Sequence, residues 1–182
     1  MKPINLNIIE LKRRLLCHEV RCWSKFTEQG GNNHGQIVEA FQKAVDGRAG
    51  GEAWCLAFCM FCIQKVDAAT DEIFQAAMPY RNILEKTEHC LTCWHKSPVI
   101  AKFDEPDFGR IVIWQHGEST RGHAGVVLKV EGDRKNMWVM EGNTKDPDGK
   151  VLVDGVFLKK RSTKKNGNMR VVGYLQPWVA EG

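Results

Sequence analysis

Four residues of this chain have the types and the order of a thiol-dependent hydrolase: Cys55, His123, Glu141 and Asn143. In the segment GEAWCLAFCMFCI, residues 51–63, Cys55 follows a turn bearing glycine and tryptophan and precedes an apolar run with helical spacing. A thiol at a helix start sits at the positive end of the helix dipole, which favours the nucleophilic thiolate. His123 opens the apolar stretch GHAGVVLKV, 122–130, and Glu141 and Asn143 close the run WVMEGNT, 138–144. An imidazole beside a thiol can hold it as an ion pair, then protonate a departing amine. A carboxylate fixes the imidazole tautomer and stabilises its charged form. Asn143 either orients His123 or donates a hydrogen bond within the site. The Cys55 backbone N–H, free at a helix start, is a candidate oxyanion donor.

The elements that must position these groups follow from periodicity. Residues 4–22 predict an amphipathic helix with Leu6, Ile9, Leu16 and Val20 near one face. Asn33 is placed to cap a helix over 34–46, whose Ile37, Val38, Phe41, Ala44 and Val45 form an apolar stripe. The Cys55 helix is expected over 54–67, a further piece from Thr70-Asp71-Glu72 to near Pro79, and another over 80–90. Strands are expected at 110–115, 124–131, 136–141, 155–160 and 169–175. Helices followed by an antiparallel sheet predict the α+β class. Strand periodicity puts Met137, Val139, Glu141 and Asn143 on one side, provided the chain stays extended that far. A carboxylate turned inward there needs a partner, and His123 is the candidate.

Each candidate has a competitor. Cys59 and Cys62, one and two turns beyond Cys55, read as core. His116 competes with His123 but falls in the turn-like stretch QHGESTRGH. Trp54 suits either the core or a substrate-binding groove, since its ring is amphipathic. Cys59-x-x-Cys62 and Cys90-x-x-Cys93, with His89 and His95 nearby, have zinc-like spacing, but the first pair sits in an apolar helix. DPDG at 146–149 is a good turn and a poor calcium cage. No metal and no cofactor is therefore expected.

At these residues the chain resembles the CHAP domain, the cysteine- and histidine-dependent amidohydrolase/peptidase module of the NlpC/P60 group, papain-like in fold. The matching pieces are GGNNHG at 30–35, WCLAFCMF at 54–61, EPDFGRIVIW at 105–114, GHAGVV at 122–127 and MEGNT at 140–144. They lie within roughly residues 19–178, so one catalytic domain spanning 1–182 is expected. Such domains usually carry Gly-Asp before the first central strand, where this chain has Gly109-Arg110. The resemblance implies Cys, His and a Glu/Asn pair as catalytic residues. It also implies bacterial peptidoglycan as substrate, cut at N-acetylmuramoyl-L-alanine or within the stem or cross-bridge peptide. Two settings fit: a phage or prophage lysin, or an injected antibacterial effector with a secretion adaptor or immunity protein as partner. The alternative is a non-catalytic wall-binding or scaffold protein that has kept the fold.

Composition agrees with an ordinary globule: 182 residues, 43% hydrophobic and 26% charged. A net charge of +4 suits an anionic partner. The dense cluster KKRSTKK, 159–165, reads as a mobile, solvated hairpin tip, and no aromatic-interleaved groove argues for nucleic acid. No segment has the length of a membrane span. Glu10, Lys12, Arg13 and Arg14 interrupt the first apolar stretch, so synthesis in the cytoplasm without a signal peptide is expected. Seven cysteines, an odd number, fit a reducing compartment.

Overall fold

The structure, a computed structural model, describes residues 3–74 and 80–179, and within them the side chains of 8–72 and 80–179. Helix α1 (Pro3–Cys22) buries Ile9, Leu16 and Val20, the predicted face, while the Leu6 side chain lies outside the described residues. Lys12 is also fully buried; its Nζ donates to Asp67 Oδ1 at 2.6 Å and to the Tyr80 carbonyl at 2.7 Å. Pairing of this kind is what makes an interior ammonium tolerable.

Helix α2 (Gln36–Asp46) starts two residues later than its pattern predicts, and Asn33 does not cap it. Gly35 occupies the cap position without a side-chain bond, and Asn33, at φ 60°, donates its amide to the Gly51 carbonyl at 3.1 Å. Val38, Phe41 and Val45 are buried as the stripe requires.

Helix α3 (Cys55–Phe74) runs through Thr70 without a break. The Thr70 hydroxyl bonds back to the Val66 carbonyl at 2.8 Å, so a residue that reads as a start signal sits inside the helix. The expected end near Pro79 lies outside the described residues. From 80 to 89 there is no helix, contrary to the one expected over 80–90. Asn82 Oδ1 takes the Leu84 N–H at 3.0 Å and Thr87 Oγ1 takes the His89 N–H at 3.2 Å. These local side-chain acceptors divert the backbone from helical bonding. The helix comes afterwards, as α4 (Cys90–Lys96).

Among the described residues seven strands form one antiparallel sheet: β1 (Lys102–Phe103), β2 (Ile111–His116), β3 (Gly122–Val130), β4 (Asn136–Thr144), β5 (Gly155–Ser162), β6 (Lys165–Asn166) and β7 (Met169–Leu175). Their order is β1-β7-β2-β3-β4-β5, with β6 hairpinned onto β7. Helices first and an antiparallel sheet afterwards give the α+β class. Both sheet faces are buried. Ile111, Ile113, Ala124, Val126 and Met140 pack under the helices. Val112, Trp114, Val127, Met137, Val139 and Tyr174 form a second core on the opposite face. That face closes where the chain crosses from β5 to β7: the Tyr174 hydroxyl donates to the Thr163 carbonyl at 3.3 Å and the Val171 N–H to the Lys164 carbonyl at 2.8 Å. The basic cluster is accordingly not a solvated tip as a whole. Lys159, Lys160 and Arg161 belong to β5, and Arg161 turns toward Glu141. Gly109-Arg110 makes the turn ahead of β2, with the Arg110 guanidinium 3.7 Å from the Phe103 ring centroid. Among the described residues no helix is long and apolar enough to cross a membrane.

Candidate active site

Cys55 is the first residue of α3, and the segment before it is fastened by four hydrogen bonds among Trp54, Asn143, Asn33 and Glu28. Asn143 Oδ1 accepts the Trp54 N–H at 3.2 Å, while Asn143 Nδ2 donates to Asn33 Oδ1 at 3.0 Å. Glu28 Oε1 accepts both the Trp54 indole N–H at 2.7 Å and the Asn33 N–H at 3.0 Å. These contacts fix where the helix begins. At its first position the Cys55 N–H has no acceptor within the helix and is left for a ligand.

His123 and Glu141 meet across the β3–β4 pair. His123 Nε2 lies 2.9 Å from Glu141 Oε2, and the imidazole stacks on Trp114 at 5.6 Å between centroids. Gly125 makes this approach possible: a Cβ there would sit 2.9 Å from Glu141 Cγ and 2.6 Å from Val139 Cγ1. Glu141 has no solvent exposure and accepts a fork from Arg161, Nε to Oε1 and Nη2 to Oε2, both at 2.6 Å. With Nε2 committed to the carboxylate, Nδ1 is the ring nitrogen left for Cys55.

The electrostatics of the three groups agree with that geometry. The Cys55 thiol is held well below its usual value, chiefly by a hydrogen bond from the Cys90 thiol, Sγ to Sγ 3.7 Å. The charge and hydrogen bond of His123 and the Ala124 N–H add to it, against the opposing effect of burial. Burial also works against the His123 imidazolium, but the Cys55 thiolate and Glu141 outweigh it and push His123 up to about 10. Burial would raise Glu141, and the Arg161 and His123 hydrogen bonds instead bring it down to about 2. These directions favour a thiolate beside an imidazolium, with a carboxylate behind the ring.

Cys55 and His123 open onto a cleft of about 750 Å³, walled by Cys90 from α4 and by the β2–β3 turn. Asn143 also reaches the cleft, but its hydrogen bonds go to Trp54, Asn33 and Asp154 rather than to His123. The expected shared face of Glu141 and Asn143 fails for a backbone reason: Asn143 has φ 52°, and the register shifts between Glu141 and Thr144. Trp54 is fully buried among Phe26, Phe41 and Phe58 and does not line the cleft that Cys55 opens onto, so it packs in the core. Cys59 and Cys62 are core, as read. His116 ends β2 on the cleft wall; burial and the charge of His123 lower its pKa.

Two contributors escape sequence reasoning. Cys90 pairs by type with Cys93, yet it stands against Cys55, while Cys93 bonds to the Glu85 carbonyl at 3.5 Å. Nothing in the sequence relates residues 35 positions apart. Arg161 had a usable signal. Phe157 is registered to Glu141, so Lys159 and Arg161 share the Glu141 side of the sheet by strand parity. Among the described residues no three His, Cys, Asp or Glu side chains converge as metal ligands. All seven cysteines are free. No family model, no curated protein and no solved structure matches this chain.

Proposed function

We propose that this chain is a cysteine-dependent amidohydrolase of the papain-like CHAP type that cuts an amide bond of bacterial peptidoglycan. The observation that carries the reading is the continuous line Arg161–Glu141–His123–Cys55 ending at an open cleft. Its order, a thiol at a helix start followed by histidine and carboxylate on neighbouring strands, agrees with the sequence resemblance to CHAP domains. The choice of peptidoglycan rests on that resemblance.

In the reaction the Cys55 thiolate attacks the amide carbonyl carbon, and the oxygen gains charge beside the Cys55 N–H at the positive end of α3. The His123 imidazolium gives its proton to the leaving amine nitrogen, so the C–N bond breaks and a thioester remains. The now neutral imidazole takes a proton from water as that water attacks the thioester. The thiolate leaves and the ion pair is restored. Glu141, held by Arg161, keeps the ring in one tautomer throughout. The protein acts at the wall after release as a lysin or injection as an effector. The bond is N-acetylmuramoyl-L-alanine or one within the stem or cross-bridge.

Purified sacculi test this reading. Digestion followed by mass spectrometry of new amino and carboxyl ends should give either lactyl ends with free stem-alanine amines or new ends within peptides. Cys55→Ala should release neither. Sacculi of all common chemotypes left intact, with protein still bound to them, would favour a non-catalytic wall-binding protein and sink the hydrolase assignment.

A further inference from the structure

The hydrolytic scheme uses the Cys90 thiol only as a hydrogen-bond donor, yet the position of that thiol permits more. Cys55 Sγ and Cys90 Sγ are 3.7 Å apart, each at the start of its own helix, α3 and α4. Both line the cleft, Cys55 with 3% and Cys90 with 4% of its surface exposed there. Gly122 makes room for this: a Cβ on it would stand 2.7 Å from Cys90 Cβ. A disulfide needs the sulfurs about 2 Å apart. The closing movement is therefore under about 2 Å, within the range of side-chain rotation. The remaining cysteines are placed otherwise. Cys59 and Cys62 are fully buried in α3, Cys93 bonds to the Glu85 carbonyl, Cys17 is buried against the Val127 carbonyl, and Cys22 is exposed on α1 beside His18.

We propose that Cys55 and Cys90 form a peroxide-responsive dithiol, in which hydrogen peroxide oxidises Cys55 and Cys90 resolves it to a reversible disulfide that takes the Cys55 nucleophile out of use. In the first step the Cys55 thiolate attacks one peroxide oxygen. The S–O bond forms, the O–O bond breaks, and the departing hydroxide takes the His123 proton to leave as water. Cys55 is now a sulfenic acid, oxidised by two electrons that reduced the peroxide. In the second step Cys90 Sγ attacks that sulfur. The S–S bond forms, the S–O bond breaks, and the hydroxide leaves as water with the Cys90 proton. The division of labour suits the two thiols. Cys55 is the ionised, fast-reacting member, and Cys90, raised by its bond to Cys55 and by burial, stays protonated until the sulfenic acid appears. Capture at this range prevents further oxidation of the nucleophile to the irreversible sulfinic acid.

This inference rests on the Cys55 thiolate, the His123 proton and the Cys90 thiol that the proposed hydrolase also holds, but it needs no amide substrate. Its test is read by peptide mass without any substrate, so the two can fail separately. The full-length reduced chain is treated with hydrogen peroxide, the remaining thiols are alkylated, and non-reduced peptides are mapped. The expected result is a cross-linked Cys55–Cys90 peptide, lighter by two hydrogens, with both residues lost from alkylation together and recovered in full by dithiothreitol. Cys22→Ser should leave that cross-link unchanged. In Cys90→Ser, confirmed folded by circular dichroism, Cys55 should progress to sulfinic acid that dithiothreitol does not reverse. Sulfinic Cys55 beside an alkylatable Cys90 in the unmodified chain would overturn the proposal. So would a disulfide joining any other pair, or seven thiols still alkylatable after peroxide.

Discussion

Arg161 grips Glu141 with two nitrogens, Nε on Oε1 and Nη2 on Oε2, each at 2.6 Å, while Oε2 also faces His123 Nε2 at 2.9 Å. The carboxylate has no solvent exposure, so its charge depends wholly on these two partners. Arg161→Met should cost about 3 kcal/mol, because it strands a buried carboxylate beside a single partner. Arg161→Lys keeps the charge and loses the fork, so its melting temperature should fall between the two. Thermal melts decide, and an unchanged melting temperature for Arg161→Met would mean that the fork carries no weight.

The thiolate–imidazolium pair sets the pH dependence. Activity should rise on the acid side as Cys55 ionises, well below a free thiol, and fall on the alkaline side near pH 10, where His123 loses its proton. Stability follows the same groups. His123, raised from 6.5 to about 10, contributes stability below pH 6.5 that is lost as pH climbs through 10. Glu141, lowered from 4.5 to about 2, contributes above pH 4.5, and that stability drains away as pH falls toward 2. Melts across pH in the unmodified chain and Glu141→Gln separate the two contributions.

Cys55→Ala should abolish hydrolysis, on the order of a thousandfold or more, with folding nearly intact. Cys59→Ala and Cys62→Ala should each cost about 1 kcal/mol of stability and keep the activity of folded molecules. Iodoacetamide should inactivate in step with labelling of Cys55. Inactivation that tracks Cys59 or Cys62 would disprove the assignment.

His123→Ala removes the counter-ion of the thiolate and the acid for the leaving amine, so it should approach Cys55→Ala in severity. Glu141→Gln should lose on the order of a hundredfold, and the Cys55 thiol should titrate at higher pH, since a weaker imidazolium is a poorer counter-ion. His116→Ala should keep kcat and at most alter KM. Loss of kcat in a folded His116→Ala protein that His123→Ala does not share would reverse the two histidines.

Asn143→Ala and Trp54→Phe test the anchoring of α3. Asn143→Ala gives up the bond to the Trp54 N–H and puts a side chain that resists positive φ at 52°. It should cost about 1–2 kcal/mol and lower kcat by displacing Cys55. Trp54→Phe leaves buried Glu28 without the indole N–H and should also cost about 1–2 kcal/mol, with KM unchanged. A raised KM with unchanged stability would return Trp54 to the substrate groove.

The sequence by itself determined the α+β order, the five long strands, the helix that starts at Cys55 and the pairing of His123 with Glu141. These follow from local information: side-chain period, turn residues and the dipole at a helix start act within a few residues. What spans the chain was decided by tertiary structure alone. The helix expected over 80–90 lost to Asn82 and Thr87, whose side chains captured backbone N–H groups that a helix needs. Asn143 shares the motif with Glu141, but a left-handed backbone turns its amide to the start of α3. Cys90 reaches Cys55, and Arg161 reaches Glu141, only because packing brings α4 and β5 to the site. Burial then decides the charges: desolvation makes each ionised group depend on its partner, and partners distant in sequence become neighbours only in the folded chain.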